Sequence, residues 1–253
     1  GVFLKTETDG RVFPRSDSSL EVIKCLRGVA AECGIKVLTN CHVKQISKLN
    51  EEFNILVKGN KFIVSKNILI CTGGHSSGRK LAMSLGHSIV KPVPSLFSLS
   101  TSEKSLKACS GITLNVQARL TVNKKKYTEN GSILVTHKGF SGPVILRLSA
   151  FSARDLHDNK YIGNLRINWL RMNEDEVRLK IDLFKSENGS KFLFNNKPFN
   201  DLPRSLWRAL LIHENIDNNL RWCELSKHKK ESLMRCLITK SYSINSRGPF
   251  GEE

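Results

Sequence analysis

The stretch that decides the fold is Ile68-Leu69-Ile70-Cys71-Thr72-Gly73-Gly74, an apolar run that stops on a threonine and two glycines. A short apolar run bounded by turn residues is typical of a strand buried inside a sheet. Glycines placed directly after such a strand allow the backbone to approach a bound ligand closely. The stretch therefore predicts one half of a nucleotide-binding site.

The other half of such a site is missing from the sequence. Dinucleotide-binding folds open with a strand, the turn G-x-G-x-x-G and a helix, and an acidic residue follows about 20 positions later. No G-x-G-x-x-G occurs in these 253 residues, which begin at Gly1 without a methionine. We therefore expect the sequence to be the middle of a longer protein.

The composition is that of an ordinary globular chain, with 40% apolar and 25% charged residues. No apolar run approaches the roughly 20 residues that span a bilayer, so we expect no membrane segment. The seven cysteines are scattered and include no C-x-x-C pair, which favours reduced, buried thiols over disulfides or a zinc site. These features predict a soluble intracellular protein that binds no metal.

A strong positive charge is the second clear signal. The 40 Lys and Arg residues exceed the 23 Asp and Glu residues by +17, and such a field attracts polyanions. Basic clusters occur at Lys124-Lys125-Lys126 and Lys227-His228-Lys229-Lys230, without the interleaved aromatic residues of a base-stacking surface. Two interpretations stay open: dispersed solvated charges, or contacts with RNA phosphates that read no sequence.

The first third of the sequence predicts alternating helices and strands. In chain order these are a helix that Ser18 caps and Gly34 ends, strands over residues 35–38 and 43–49, a hairpin that turns at Gly59-Asn60, a strand over 68–70 and a helix over 79–85. This order suits the second half of a nucleotide-binding sheet.

After Pro92 and Pro94, which mark a boundary, the pattern changes to antiparallel strands and then helices. Apolar residues alternate over 112–122, further strands are predicted at 133–135 and 161–169, and helices at 174–184, 203–211 and 229–238. Trp207 and Trp222 are interpreted as core residues. The fold class is therefore α/β: a partial Rossmann-like domain over 1–93, a β-rich insert over about 94–170, a helical part over about 171–240, and the start of a return over 241–253.

Several motifs occur in the order of one known family. They are Gly10-Arg11-Val12-Phe13-Pro14 with Ser16-Asp17-Ser18-Ser19, then Thr72-Gly73-Gly74, Leu85-Gly86-His87, Pro92-Val93-Pro94-Ser95-Leu96 and Thr136-His137-Lys138-Gly139-Phe140-Ser141-Gly142-Pro143. Together they closely resemble the BaiN/RdsA-like family of NAD(P)/FAD-dependent flavoproteins. Residues 92–97 and 146–156 look most like its plant and cyanobacterial members, which implies the cytoplasm or a plastid.

The resemblance implies a FAD-binding site of which only part is present. In the family, an N-terminal strand, turn and helix hold the FAD pyrophosphate, and a C-terminal segment that resumes after a match to residues 248–253 closes the flavin site. By position, Thr72, Gly73 and Gly74 would lie against the adenosine and phosphates, and Val43 either borders the adenine or is a core valine. The loop with Arg11, Phe13 and Pro14 would lie near the flavin ring, where Arg11 either offsets negative charge on reduced flavin or is a surface arginine before a helix cap.

Three polar residues within the family motifs receive structural interpretations. We interpret His75 as an exposed turn residue and His137 as a structural hydrogen-bonding residue rather than as proton donors. Ser141 is interpreted as the cap of a helix that runs to Leu156.

Two hypotheses about function follow. The first is the central part of a FAD-dependent oxidoreductase that reduces an activated carbon–carbon double bond with NAD(P)H as hydride donor, and the resemblance extends the substrate class to uracil in ribosomal RNA. The second, motivated by the net charge of +17 and the missing glycine-rich turn, is a truncated non-catalytic basic module that binds RNA or another acidic partner.

Overall fold

A computed structural model describes residues 1–7, 10–103 and 108–248. The chain divides into two compact units, unit 1 over Gly1–Val90 and unit 2 over Lys91–Glu253. Throughout the described ranges, no helix combines the length and the apolar character needed to cross a membrane.

Unit 1 contains two small antiparallel sheets and two helices. Its elements are β1 (Leu4–Thr6), β2 (Val12–Pro14), α1 (Ser19–Glu32), β3 (Val43–Leu49), β4 (Glu52–Val57), β5 (Lys61–Ser65) and α2 (Ser76–Ser84). The first sheet pairs β1 with β2, and the second has the order β3-β4-β5. The predicted hairpin is confirmed, because β4 and β5 are joined by Gly59 and Asn60, whose φ angles of 89° and 56° are those of a tight hairpin turn.

Two of the strands predicted for unit 1 are wrong, because neither is formed. Residues 35–38 and 68–70 pair with no other strand in the part of the chain that the structure describes. A β-strand is defined by its hydrogen bonds to a neighbouring strand, so an apolar run without such a neighbour is not a strand. The predicted cap of α1 is also corrected: Ser18 precedes the helix but makes no side-chain capping bond, whereas the Ser16 hydroxyl donates to Glu21.

Much of the apolar surface of unit 1 is open to solvent. The helix α1 has the predicted apolar periodicity but buries none of its residues, and Leu26 remains 66% exposed. Leu69, in the predicted strand, is 86% exposed. The apolar pattern of these elements is thus typical of buried helices and strands, but the described residues leave their apolar side chains exposed.

Unit 2 is built on a closed antiparallel barrel. Its strands are β6 (Leu99–Thr101), β7 (Thr113–Val122), β8 (Lys125–Thr136), β9 (Gly139–Ser141), β10 (Gly163–Asn168) and β11 (Lys240–Arg247), in the order β10-β11-β6-β9-β8-β7. The predicted alternation is confirmed, since Val116, Ala118 and Leu120 of β7 are fully buried. Gly139, with φ of 151°, is required for closure because a Cβ there would lie 2.2 Å from the carbonyl oxygen of Leu99 on β6.

Five helices accompany the barrel in the described part of unit 2. They are α3 (Pro143–Phe151), α4 (Ala153–Asp158), α5 (Glu174–Glu187), α6 (Arg204–His213) and α7 (Lys227–Thr239). The three later helices lie where they were predicted. The single helix expected from Ser141 is instead two, because Ser141 ends β9, Gly142 with φ of 90° precedes α3, and Ser152 separates α3 from α4.

The predicted core role of the two tryptophans is confirmed. Trp207 and Trp222 are buried and stacked, with ring centroids 6.2 Å apart and planes 19° apart. Each indole N–H is satisfied by a backbone carbonyl, Trp207 donating to Leu193 at 2.9 Å and Trp222 to Asn196 at 3.0 Å. Buried aromatic rings with paired polar groups contribute packing without an unsatisfied donor.

One further expectation, about the thiols, differs from the structure. Residues 241–247 lie in β11 between β10 and β6, and residues 249–253 of the predicted return lie outside the described residues. The expectation that most thiols are buried is wrong. All seven cysteines are free, only Cys109 and Cys236 are buried, and Cys33, Cys71 and Cys223 are exposed.

Candidate cofactor site

The residues Thr72, Gly73 and Gly74 form a turn that leads into α2. Gly73 has φ of 57°, a left-handed conformation that favours glycine. His75 is the N-cap residue of α2, and its Nδ1 accepts the Ser77 backbone N–H at 3.2 Å. His75 is therefore an exposed residue that holds the start of the helix, which agrees with its interpretation as a turn residue.

The turn presents two backbone donors that have no acceptor. Within the described ranges, the N–H groups of Gly73 and Gly74 make no hydrogen bond, while the Gly74 carbonyl accepts from Arg79 at 2.9 Å. A Cβ added at either glycine would meet nothing within 4 Å. Open space, unpaired donors and the positive end of a nine-residue helix form a set that suits an anionic group such as a phosphate.

A cleft of about 540 Å³ in unit 1 brings two of the predicted residues together. Val43 of β3 and Thr72 both line it, and its walls are largely apolar, with Ile46 and Ile55 from the sheet and Leu81 from α2. Mostly apolar clefts of this size that end in a few polar groups are typical of small-molecule and cofactor sites. The cleft therefore offers an apolar packing surface for a ligand, and Thr72, which lines it, leads directly into the glycine turn.

One residue that sequence reasoning missed positions this turn. Gly78 is buried in the first part of α2, and a Cβ there would lie 1.9 Å from Thr72 Oγ1 and 3.1 Å from Ile70 Cγ2. The absence of a side chain lets the helix pack directly against residues 70–72. The available signal was the spacing of four residues between Gly74 and Gly78, which places the second glycine one helical turn further on.

The three residues predicted near the flavin ring form a separate group, with Phe13 and Pro14 on β2 and Arg11 just before it. The Arg11 guanidinium carbon lies 5.4 Å from the centroid of the Phe13 ring, and Phe13 is 38% exposed. Pro14 is half-buried and pairs with Leu4 of β1. None of the three lines the cleft that contains Val43 and Thr72. The described residues thus bring together the adenosine-side candidates and leave the β2 group apart from them.

Burial shifts the pKa of several ionisable side chains in the described part of unit 2, and it lowers the pKa of the Lys240 ammonium from its usual value. Burial raises the pKa of the Cys236 thiol to about 12 and raises that of the Tyr242 phenol well above its usual value, so both are protonated at neutral pH. His137 is exposed and makes no hydrogen bond within the described ranges, so its predicted structural hydrogen bond is not formed there. No group of three or more metal-ligand side chains comes together in the part of the chain that the structure describes.

Comparison with known families identifies the class of protein that this barrel and its helices define. A family model described as "HI0933-like protein barrel and H2TH domain" matches residues 93–253. The chain belongs to this family. The match covers the strands β6–β11 and the helices α3–α7, so it agrees with the closed barrel that the structure shows.

Two curated relatives are similar to this chain. The first, a "3-dehydro-bile acid delta(4,6)-reductase" of Clostridium scindens, is 26% identical over 263 residues, covering 99% of this chain and 63% of the relative. The second, a "Ribosomal RNA dihydrouridine synthase" of Haemophilus influenzae, is 29% identical over 145 residues, covering 52% of this chain and 35% of the relative. The chain spans less than two thirds of the length of either relative. The resemblance to the BaiN/RdsA-like flavoproteins is confirmed.

Proposed function

We propose that this chain supplies the adenosine and phosphate side of a FAD site in an oxidoreductase that reduces an activated carbon–carbon double bond. The observations that carry the proposal are the cleft that Val43 and Thr72 both line and the unpaired N–H groups of Gly73 and Gly74, which follow Thr72 in the chain. The names of the two relatives, a reductase and a dihydrouridine synthase, support the same class of reaction.

Each residue of the site has a physical role in this proposal. The N–H groups of Gly73 and Gly74 donate to phosphate oxygens, and the apolar wall with Val43 packs against the adenosine. Arg11, Phe13 and Pro14 border the flavin ring, where the Arg11 charge offsets negative charge on the reduced cofactor. The chemistry that a bound FAD would supply is hydride transfer from NAD(P)H to the acceptor.

The exposed apolar elements of unit 1 suit a Rossmann-like sheet in the complete protein. Parallel strands lie between helices that cover both faces, and residues 35–38, residues 68–70 and α1 are apolar enough for such positions. We infer a FAD/NAD(P)-binding domain over 1–93, an insert over 94–240 and a return to the first domain that starts within 241–253, once β11 has ended at Arg247. Motifs at residues 92–97 and 146–156 favour a member of the plant or cyanobacterial type, in the cytoplasm or a plastid.

The proposed substrate class is a uracil in ribosomal RNA. A net charge of +17 favours a polyanionic substrate over a small neutral one, and one relative acts on ribosomal RNA by its name. The same charge supports the second candidate function, a basic module that binds RNA without catalysis. FAD binding separates the two candidates, because only the first requires it.

The test uses the full-length protein and a Gly74→Val variant. We expect the wild-type protein to purify yellow and to quench FAD fluorescence in a titration. Because nothing lies within 4 Å of a Cβ at Gly74, the variant is expected to keep its thermal stability while its FAD affinity falls by about tenfold, or roughly 1.4 kcal/mol.

The matched control is Gly28→Ala in α1, where a Cβ also meets nothing within 4 Å and no ligand contact is proposed. It should bind FAD as tightly as the wild type. A colourless wild-type protein that does not quench FAD fluorescence, or a Gly74→Val protein with unchanged affinity, would refute the proposal.

A further inference from the structure

The outer surface of the barrel carries a continuous polar face on three neighbouring strands. We call it the basic sheet face, and it consists of Gln117, Arg119 and Thr121 of β7, Lys126 of β8, and Asn164 and Arg166 of β10. The alternate residues of β7 and β10 point inward and are buried, so these six side chains point outward. Three of the six are positively charged and none is negatively charged.

Two arginines lie directly opposite each other on this face. Arg119 and Arg166 are cross-strand partners in the β7–β10 ladder. Arg119 Nε donates to Thr128 Oγ1 at 3.1 Å, which leaves both of its terminal nitrogens available, and Arg166 makes no hydrogen bond or ion pair within the described ranges. Like charges directly opposite each other destabilise a sheet, so this pair costs folding free energy that an external anion would offset.

Nearby carboxylates are already engaged elsewhere. Glu129 of β8 pairs with Arg147 at 2.9 Å, and Asp155 of α4 pairs with Lys125 at 2.8 Å. At the start of α5, the Glu176 carboxylate accepts the Asn173 backbone N–H at 2.8 Å in a capping box. Within the described ranges, neither Arg119 nor Arg166 forms an ion pair with a carboxylate.

A cleft of about 230 Å³ lies against the arginine pair. Arg119 and Arg166 line it, together with Met172, Asn173 and Thr239 at the end of α7. Guanidinium groups present a planar fork of donors that matches the oxygens of a phosphate. The cleft offers enough room for one phosphate group to reach both arginines.

We propose that the basic sheet face binds the phosphodiester backbone of RNA. All six of its side chains are polar, so it lacks the buried aromatic or aliphatic anchors that protein partners use. It also lacks aromatic rings for base stacking, so the contacts are to phosphates and to ribose hydroxyls through Gln117, Thr121 and Asn164. This inference rests on the RNA substrate class of the proposed function but not on FAD.

The test compares two double variants of the full-length protein by fluorescence anisotropy with a single-stranded ribosomal RNA fragment over a salt series. Arg119→Gln/Arg166→Gln removes two charges from the face, and Lys227→Gln/Lys229→Gln removes the exposed charge of Lys227 and the half-buried charge of Lys229 at the start of α7. The arginine variant is expected to bind about tenfold or more weakly near 0.1 M salt. The slope of log K against log salt should fall by about 1.4, from two contacts at roughly 0.7 each.

A second measurement separates binding from folding. Because the arginine variant loses a like-charge pair, its melting temperature should equal or exceed that of the wild type while its RNA affinity falls. The lysine variant should keep RNA affinity within about twofold, since it removes charge without removing a face contact.

Other outcomes overturn the proposal. Unchanged RNA affinity in the arginine variant, or an equal loss in the lysine variant, would show that the face has no specific role. Polyglutamate that competes as well as RNA at equal charge would identify an acidic protein as the partner instead. The flavin content of each sample is read by absorbance: a colourless protein that binds RNA refutes only the FAD proposal. A yellow protein that binds no RNA refutes the RNA substrate class together with this proposal, whereas a yellow protein whose RNA affinity is unchanged in the arginine variant refutes this proposal alone.

Discussion

Units 1 and 2 carry the same kind of apolar periodicity and bury it to very different extents. Leu26 in α1 is 66% exposed, whereas Leu206 in α6 is fully buried. Among the described residues, the buried apolar side chains of unit 1 are Ile46, Val57 and Leu81, while unit 2 has a continuous core that runs from the barrel into the helices. Periodicity shows that a residue is suited to burial, and only its tertiary neighbours decide whether it is buried.

The largest expected effect on stability comes from a leucine-to-alanine substitution, made once in each unit. Leu206→Ala removes a fully buried side chain and leaves a cavity, which should lower the free energy of unfolding by about 2–5 kcal/mol. Leu26→Ala removes a mostly exposed side chain and should change it by about 0.5 kcal/mol or less. Urea denaturation of the 253-residue chain measures both values.

The same two substitutions, made in the full-length protein, test whether α1 is buried there. If further segments cover α1, as the proposed Rossmann-like sheet requires, Leu26→Ala should cost about 2 kcal/mol or more there. A cost that stays below about 0.5 kcal/mol in both contexts would contradict the proposed covering of α1.

The next largest effect on stability is expected from alanine substitutions at two glycines in the helices of unit 1. Gly78→Ala places a Cβ 1.9 Å from Thr72 Oγ1, so the contact between α2 and the turn must shift at a cost of about 1–3 kcal/mol. Gly28→Ala meets nothing within 4 Å and should stabilise α1 by roughly 0.5–1 kcal/mol, because alanine loses less backbone entropy than glycine. Thermal denaturation of both variants checks the opposite signs.

A double variant tests whether contact with the Thr72 hydroxyl causes the loss of stability in Gly78→Ala. Thr72→Ala/Gly78→Ala removes the hydroxyl that the new Cβ would meet, so it should recover most of the stability that Gly78→Ala alone loses. Equal losses in the single and double variants would show that the close approach of Gly78 to Thr72 does not determine the packing of α2.

Local patterns predicted most of the elements of unit 2, and contacts distant in sequence explain what they missed. The alternation of β7 and the acidic first turn of α5 are local signals, and both elements are present. Closure of the barrel depends on β6 and β9, which have three residues each, and on the pairing of β11 with β6. Segments this short carry no periodic signal, so closure was not predictable.

The same distinction holds for the candidate site. The glycine turn was visible in the sequence, and the positions of Val43 and Arg11 came from the family resemblance alone. The role of Gly78 depends on a helix-to-turn contact, and the opposition of Arg119 to Arg166 depends on the register of strands distant in sequence. A shift of one residue in that register would turn one arginine inward, so only the assembled barrel reveals the pair.

The smallest expected effect concerns one ion pair in each unit and its dependence on pH. In unit 2, hydrogen bonds from Lys125 and Tyr127 hold the pKa of Asp155 below its usual value of 3.8, and they join α4 to β8. Since the folded pKa lies below the unfolded one, the contribution is complete at neutral pH and is lost as the pH falls through the folded pKa, below 3.8. Asp155→Asn should therefore lower the melting temperature most at neutral pH, and the difference from the wild type should shrink in acid.

Asp17→Asn, which removes the exposed ion pair with Lys5 in unit 1, is the matched control and should leave the melting of unit 2 unchanged at every pH. A difference for Asp155→Asn that stays constant from neutral pH to below pH 3 would show that the carboxylate charge does not stabilise the barrel.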